Sequence, residues 1–309
     1  MKKPVLLITF NRLEETQKTF EQIAIAKPPR LYLASDGPRP DKECEKEKVE
    51  AVRKWLLENI NWDCDVKTRF LETNSGGCRY GVSGAIDWFF ETEEDGIIME
   101  DDLVASQSFF TFCEELLDYY KDNEDVWVVS GYNSLGICDI KESYYFTNIM
   151  DCWGWATWKN KWQNYHKGLD NFDEKIFNRI SKDVKVQKYW FDILRQMQTK
   201  KIDSWAYQWA LLALEKNKKC INPAKNLISN IGYTGAHYDN HYKDPLLGTQ
   251  TYTIGEIKHH SVVKINPKIL NKIHDVYDIS KPKLKILAQY IYKHPLFLFK
   301  KKFWKMLKI

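Results

Sequence analysis

The chain has 309 residues, 44% of them hydrophobic and 14% aromatic, which can fill one large domain or two modest ones. MKKPVLLITFNR has only a short apolar run and no cleavage site, and no stretch approaches about 18 apolar residues, so we expect neither a signal peptide nor a membrane-spanning helix. Seven scattered cysteines without a CxxC pair favour a reducing, cytoplasmic setting. The net charge is +4, and no basic reading element for nucleic acid is visible.

Strands and helices alternate through the first half of the sequence. Strands are predicted at 4–10, 30–37, 65–72, 95–102 and 125–133, and helical patterns cover 13–26, 41–60, 106–121 and, after a glycine loop, 77–94. Asn11 is the capping candidate for the first helix. The alternation predicts an α/β fold with a mainly parallel sheet and helices on both faces. Ligands bind beyond the carboxyl ends of such strands, where the polar clusters of this half fall.

Three consecutive carboxylates, Glu100, Asp101 and Asp102, end the fourth predicted strand. Neighbouring carboxylates repel each other by roughly 1 kcal/mol at about 4 Å in water, and by more where water is excluded. A divalent cation with oxygen ligands would relieve that repulsion. In an extended strand Glu100 and Asp102 point to one side and Asp101 to the other, so we expect one or two of them to meet a metal. The alternative is that the trio caps the helix that follows.

The loop NSGGCRYG precedes the third predicted helix. Its glycines permit close backbone approach, Arg79 brings a fixed positive charge, and the helix start offers free N–H groups, a combination suited to phosphate. The loop matches neither GxGxxG nor the pattern that ends in GK[ST], so a plain glycine loop is the alternative. A metal beside an arginine would hold and neutralise a diphosphate.

Seven of the twelve tryptophans lie between residues 153 and 209. Such rings stack on sugars and line clefts, or they fill a core, and the four-residue spacing of Trp205 and Trp209 indicates packing on one helix. Asp203 begins that helix. An aromatic setting could raise its pKa toward that of a general base, and the alternative is a helix N-cap.

The segment 279–309 contains nine lysines and no acid, whereas the rest of the chain has 37 basic and 42 acidic residues. Its lysines alternate with Leu, Ile, Tyr, Phe and Trp, a composition typical of interfacial amphipathic helices, which Pro295 divides in two. Each lysine near an anionic leaflet contributes about 1 kcal/mol, so we expect an anionic membrane surface as a partner. The alternative is a helix packed on the body with its lysines in water.

The order of motifs resembles that of a known enzyme family. TFNR, SDG, NSGG-x-R-x-G, the acidic trio, WGWATW, SWAYQW, NLISNIG and GAH together resemble nucleotide-sugar glycosyltransferases of the GT-A fold, and more closely the bacterial polysaccharide and lipopolysaccharide types related to N-acetylglucosaminyltransferase I. The resemblance covers about residues 4–242. It implies a nucleotide-sugar-binding part at 1–133, an acceptor-binding and catalytic part of the same domain at 134–260, and a membrane-associating segment at 261–309.

The resemblance also implies roles for particular residues. Asp102 would contact Mn²⁺ or Mg²⁺, with Asp101 and Glu100 facing the sugar and ribose of the donor. The base, usually uracil, would be held by four residues, Thr9, Asn11, Arg12 and Asp36, and Arg79 would reach the phosphates. Asp203 is the expected catalytic base, Asp151 is the second candidate, and His237 would close over the diphosphate or add a metal contact. The chain has Asp203-Ser204 where the Golgi enzyme has its WDDW pattern, and a surface histidine is the alternative for His237.

These features lead to one expected activity with two competitors. We expect a metal-dependent, inverting hexosyl- or N-acetylhexosaminyltransferase that moves a sugar from a UDP-sugar to a hydroxyl of a lipid-linked or surface glycan, as a cytoplasmic protein on the inner face of the plasma membrane. A sugar-phosphate nucleotidyltransferase shares a related sheet but needs a glycine-rich loop after the first strand, which TFNRLEE lacks. A catalytically silent, membrane-associated scaffold of the same fold is the other alternative.

Overall fold

The computed structural model describes residues 1–232, 246–277 and 279, so His237 and the basic segment from 280 onward lie outside the described residues. An eight-stranded sheet forms its centre. Its strands are Val5–Thr9 (β1), Arg30–Ser35 (β2), Asp65–Phe70 (β3), Asp95–Glu100 (β4), Val126–Ser130 (β6), Tyr144–Thr147 (β7), Trp155–Trp158 (β8) and Lys219–Pro223 (β9). Two short strands, Leu103–Ala105 (β5) and Ile228–Asn230 (β10), pair antiparallel beside it.

The helices follow the strands along the chain. They are Leu13–Ala26 (α1), Glu45–Glu58 (α2), Cys78–Thr92 (α3), Gln107–Tyr119 (α4), Lys159–Trp162 (α5), Phe177–Ile180 (α6), Val184–Gln198 (α7), Trp205–Glu215 (α8) and Pro267–Val276 (α9). Short 3-10 helices span Gln163–Lys167 and Glu174–Ile176. In the part of the chain that the structure describes, no helix combines the length and the apolar character needed to span a membrane.

The strand order is β3-β2-β1-β4-β8-β6-β9-β7. The first four strands pair in parallel, and β6 pairs in parallel with β9. The strand β8 is antiparallel to both β4 and β6, and β7 is antiparallel to β9. Six of the eight strands therefore run in one direction, which confirms the α/β fold with a mainly parallel sheet.

Alternate residues of β1 enter two different cores. Val5 and Leu7 pack with residues of α1, α2 and α4, whereas Leu6 and Ile8 pack with residues of α3, α7, α8 and α9. Helices cover both faces of the sheet, as predicted. Trp205 and Trp209 are buried in the second core, which confirms the packing role expected from their spacing.

Three local predictions are wrong. Helix α1 begins after Arg12, and Asn11 does not cap it. The fourth strand ends at Glu100 and the chain turns over the next two residues, so the alternation expected of an extended stretch does not extend to Asp101 and Asp102. Because β5 then separates this turn from α4, whose N-cap position is Ser106, the acidic trio does not cap that helix.

Gly96 lies on the buried strand β4 where no side chain fits. A Cβ atom at this position would lie 2.4 Å from Phe89 Cζ and 3.1 Å from Pro4 Cγ. Overpacking a core typically costs about 1–3 kcal/mol. We expect Gly96→Ala to lower the free energy of unfolding by about that amount in urea denaturation. Gly255→Ala is the control, because its added Cβ would meet no atom within 4 Å; equal stability of the two variants would contradict the described packing.

Candidate active site

The turn after β1 is fixed by the acids after β4. These strands are parallel neighbours, so their carboxyl ends lie side by side. Asp101 accepts a hydrogen bond from the Phe10 backbone N–H (3.3 Å), and its own carbonyl accepts one from the Thr19 hydroxyl (3.0 Å). The Arg12 guanidinium pairs with Asp101 and, at 2.9 Å, with Asp102. Arg12 thus contacts both carboxylates of the turn formed by Asp101 and Asp102, which we call the acidic turn.

The three acids differ in environment. Burial, followed by the charges of its two neighbours, raises the pKa of Glu100 to about 8. Burial also raises the pKa of Asp101 to about 6, against the opposing effect of Arg12. The Asp102 side chain is 15% exposed and that of Asp101 is 4% exposed. Asp102 is therefore the more accessible member of the Arg12-bound pair.

The donor set fits a divalent cation held only in part by protein. Among the described residues no three His, Cys, Asp or Glu side chains form a closed metal cage. Mg²⁺ commonly binds through one or two carboxylates and completes its coordination with water and substrate phosphate. Asp102 offers such a carboxylate. Gly232 permits close backbone approach, since a Cβ there would lie 2.3 Å from Asp102 Oδ2.

A second cluster joins α3 to α8. Arg79 Nη1 lies 3.2 Å from Asp203 Oδ1, and the other terminal nitrogen of Arg79 donates to Gln208 Oε1. Gln208 is 4% exposed, and its Nε2 donates to the Tyr165 carbonyl at 2.9 Å, which directs its oxygen toward Arg79. Arg79 and Asp203 were predicted from separate motifs, and the structure brings them into contact.

Asp203 precedes α8 without capping it. The N-cap residue is Ser204, whose hydroxyl accepts from the Tyr207 backbone N–H at 3.3 Å, so the capping alternative for Asp203 is wrong. The Asp203 side chain is 48% exposed. It is therefore open to solvent on one side while it contacts Arg79 on the other.

The acidic turn and the Arg79 cluster lie near one another. Cys78, the first residue of α3, is exposed to solvent, yet desolvation by the surrounding protein and the charges of Glu100, Asp101 and Asp203 raise the pKa of its thiol. All three carboxylates are thus close enough to act on one sulfur atom. Arg79 directly follows Cys78 in the chain and contacts Asp203, so Arg79 and Asp203 lie near the acidic turn.

Two of the residues assigned to the base are engaged by β1 and its neighbours. Thr9 is buried, and its hydroxyl donates to the Ala34 carbonyl at 3.3 Å. Asn11 is partly exposed, and its Nδ2 donates to Glu45 at 2.9 Å. Base contacts by Thr9, Asn11, Arg12 and Asp36 stay predictions.

Asp36 connects the loop after β2 to the loop after β3. One carboxylate oxygen accepts from the backbone N–H groups of Gly37 (2.8 Å) and Ser75 (2.9 Å). The other accepts from the Ser75 hydroxyl (2.8 Å) and from Asn74 Nδ2 (3.1 Å). This carboxylate therefore fixes the start of the NSGG loop.

Asp151, the second candidate base, lies in a different group of contacts. It accepts hydrogen bonds from Asn222 Nδ2 (2.7 Å) and from the Tyr277 hydroxyl just after α9 (2.6 Å). Burial raises the pKa of Asp151 to about 6. Within the described residues no hydrogen bond or ion pair joins it to Arg79 or Asp203.

Sequence reasoning missed two partners of the predicted residues. Gln208 carried a weak signal, since it is a polar side chain within the apolar helix WAYQWALLALE. Glu45 carried none, because it lies in a helix that is charged along its length. Both became visible only through the contacts they make with Arg79 and Asn11.

No protein-family model matches the chain, and no curated protein matches it. A mannosyltransferase from Pyrobaculum calidifontis, solved with GDP-Man and Mn²⁺, is 9% identical over 70% of this chain and 69% of its own, with a TM-score of 0.37. The glycosyltransferase GlyE of Streptococcus pneumoniae TIGR4 is 10% identical over 96% of this chain and 64% of its own, with a TM-score of 0.39. An apo UDP-glucose pyrophosphorylase is 11% identical over 74% of this chain and 93% of its own, with a TM-score of 0.37. At these values the similarities carry no argument about function, which rests on this chain's own residues.

The burial of Asp151 predicts a pH-dependent effect on stability. Because the native carboxyl has a raised pKa of about 6 against an ordinary value of 3.8, it holds its proton more tightly than the unfolded chain does. Its contribution to stability is therefore present at low pH and is lost as the pH rises through about 6, by roughly 3 kcal/mol. Asp151→Asn removes this loss.

We expect the stability of Asp151→Asn relative to wild type to rise by about 2–3 kcal/mol between pH 4 and pH 7.5, measured by urea denaturation. Asn can accept from Asn222 and donate to the Tyr277 oxygen, so the hydrogen bonds survive the change. The exposed Asp122→Asn is the control. A pH-independent difference between wild type and Asp151→Asn would contradict the assigned burial.

Proposed function

We propose that the protein is a metal-dependent, inverting glycosyltransferase that uses a UDP-sugar as donor. The observation that carries this proposal is the contact of Arg79 with the half-exposed Asp203 beside the acidic turn. A cationic group for a diphosphate, a carboxylate for a proton and oxygen ligands for a cation then share one sheet edge. A sugar nucleotide and a hydroxyl acceptor need these three groups together.

The proposed reaction is a single displacement. Asp203 accepts the proton of the acceptor hydroxyl while the acceptor oxygen bonds to the anomeric carbon and the bond from that carbon to the diphosphate breaks. Arg79 donates hydrogen bonds to the departing diphosphate. In the described structure Arg79 contacts Asp203. A bound diphosphate would replace Asp203 as an acceptor of hydrogen bonds from Arg79. Gln208 keeps Arg79 in place during this exchange.

The metal would be held by Asp102 and by the donor's phosphates. A bound Mn²⁺ or Mg²⁺ would supply positive charge that offsets the charge of the diphosphate. Arg12 holds Asp101 in place. Glu100 and Asp101 are proposed to face the sugar and the ribose of the donor. The role of His237 remains the predicted contact with the diphosphate or the metal.

Asp102→Asn tests the proposed site. We expect the rate of metal-dependent UDP-sugar hydrolysis or transfer to fall by at least about 100-fold in the variant, because the amide lacks the charge that binds a cation. Calorimetric titration of Mn²⁺ with UDP should show a matching loss of metal binding. Asp122→Asn, an exposed acid away from the turn, is the control.

Product analysis separates the competing activities. A screen of UDP-sugars with wild type should yield UDP and free or transferred sugar. UTP and a sugar phosphate, formed in the presence of pyrophosphate, would instead indicate a nucleotidyltransferase. Full transfer activity in Asp102→Asn would contradict the metal assignment, and nucleotide binding without any product would favour the silent scaffold.

The acceptor is proposed to be a lipid-linked or surface glycan at the inner face of the plasma membrane. The support for this is the basic, aromatic segment 279–309, which lies almost entirely outside the described residues. Nine lysines alternating with apolar residues would bring the protein to an anionic leaflet where such acceptors lie.

Removal of residues 282–309 tests the membrane proposal. We expect the truncated chain to lose binding to vesicles that contain anionic lipid, in a sedimentation assay at low salt. Wild type on vesicles of neutral lipid is the control for charge. Unchanged binding after truncation would refute the proposed role of the segment, and retained hydrolysis of the UDP-sugar would show that the catalytic part still folds.

A further inference from the structure

The carboxyl ends of β1 and β2 carry few groups that can still accept a hydrogen bond from a ligand. The Thr9 hydroxyl is buried against Ala34. A carboxylate has about four lone-pair positions, and Asp36 uses four in its bonds to Gly37, Asn74 and Ser75. Arg12 has no acceptor atom. Asn11 is the remaining candidate among the residues assigned to the nucleobase.

Asn11 is held by a glutamate that is itself fully engaged. Glu45 is buried at the first position of α2. Its Oε2 accepts from the Arg39 backbone N–H at 2.8 Å and from Arg39 Nε at 3.0 Å, and its Oε1 accepts from Arg39 Nη2 and from Asn11 Nδ2 at 2.9 Å. The hydrogen bonds from Arg39 lower the pKa of Glu45. Glu45 is therefore an anion that can only accept.

This contact determines which way the Asn11 amide faces. A carboxylate offers no donor, so only the NH₂ group of Asn11 can face Glu45, and the opposite orientation would set two oxygen atoms against each other. The Asn11 carbonyl oxygen is then directed elsewhere. Among the residues that the structure describes, none donates a hydrogen bond to it.

The surrounding contacts make this arrangement rigid. Phe10 and Arg12, on either side of Asn11, are both tied to Asp101. The Arg39 guanidinium lies 5.6 Å from the centre of the Phe10 ring, which links the same turn to the start of α2. An amide fixed by groups on both sides discriminates between donors and acceptors more strongly than one free to rotate.

We propose that Glu45 is a positioning residue that fixes the Asn11 amide with its carbonyl oxygen toward the donor nucleotide, so that the base must present an N–H there. This inference rests on the proposed function, in which the donor is a uridine nucleotide. In strand order β3-β2-β1-β4 the order reverses between β1 and β4, where the ligand crevice of such sheets opens. The nucleoside would then lie over the ends of β1 and β2, with the diphosphate toward the acids after β4. The base of a uridine nucleotide has one N–H, at N3, and this group would donate a hydrogen bond to the Asn11 carbonyl oxygen.

The test compares UDP with its N3-methyl analogue, which lacks this N–H. Calorimetry in the presence of Mn²⁺ should show that wild type binds UDP at least about tenfold more tightly than N3-methyl-UDP. In Glu45→Gln the new amide can donate to Asn11 and turn it over, so we expect UDP binding to weaken about tenfold and the preference to fall below about twofold. Glu47→Gln, an exposed change on the same turn of α2, should keep the wild-type preference.

A double-mutant cycle separates positioning from a general loss of structure. Asn11→Ala should abolish the preference while leaving the Glu45–Arg39 contact intact, and adding Glu45→Gln to it should change UDP affinity by less than about twofold. A full effect of Glu45→Gln in the Asn11→Ala background would overturn the proposal, as would equal binding of the two nucleotides by wild type. Failure of wild type to bind either nucleotide would instead refute the proposed function, and the inference with it.

Discussion

The bonds that Asp101 makes with Arg12 and with the Phe10 backbone hold the candidate site together. Asp101 leaves β4 where the chain turns, and its partners leave the neighbouring strand β1. A buried carboxylate is costly unless it is paired and hydrogen bonded, and both conditions are met here. With this pair in place, the residues on either side of Asn11 are fixed to Asp101 while the Asn11 side chain contacts Glu45, and Asp102 pairs with the same guanidinium. One buried acid thus positions residues on two strands.

The second half of the chain completes the site from the other side. The antiparallel strand β8 pairs with both β4 and β6 and so joins the first four parallel strands to the later ones. The helix α8 lies against α3, where Gln208 and Asp203 both contact Arg79. The proposed base, just before α8, and the proposed diphosphate-binding residue, in α3, therefore come from segments that are far apart in sequence. Their geometry depends on the whole sheet.

The sequence was informative where local pattern determines structure. Local sequence patterns predicted α1 and β1 to β4. The parallel topology predicted that Asp36, Arg79 and the acidic turn lie at one edge of the sheet. The insertion of β8 and the partners of Asp151 depend on long-range contacts, which carry no local signal. The turn at Asp101 was missed for the same reason, since both acids of the turn pair with Arg12, a residue distant in sequence.

Three adjacent carboxylates coexist here because each is compensated in a different way. Burial and the charges of its two neighbours raise the pKa of Glu100 to about 8, which favours its protonated, uncharged form. Asp101 is paired with Arg12 and with the Phe10 N–H in a buried setting. Asp102 shares the same arginine but keeps more contact with solvent. Repulsion within the trio is thus reduced without a ligand, and Asp102, whose carboxylate lies beside Gly232, is the acid that we propose to bind the cation. The three acids therefore differ in pairing and exposure although they are adjacent in sequence.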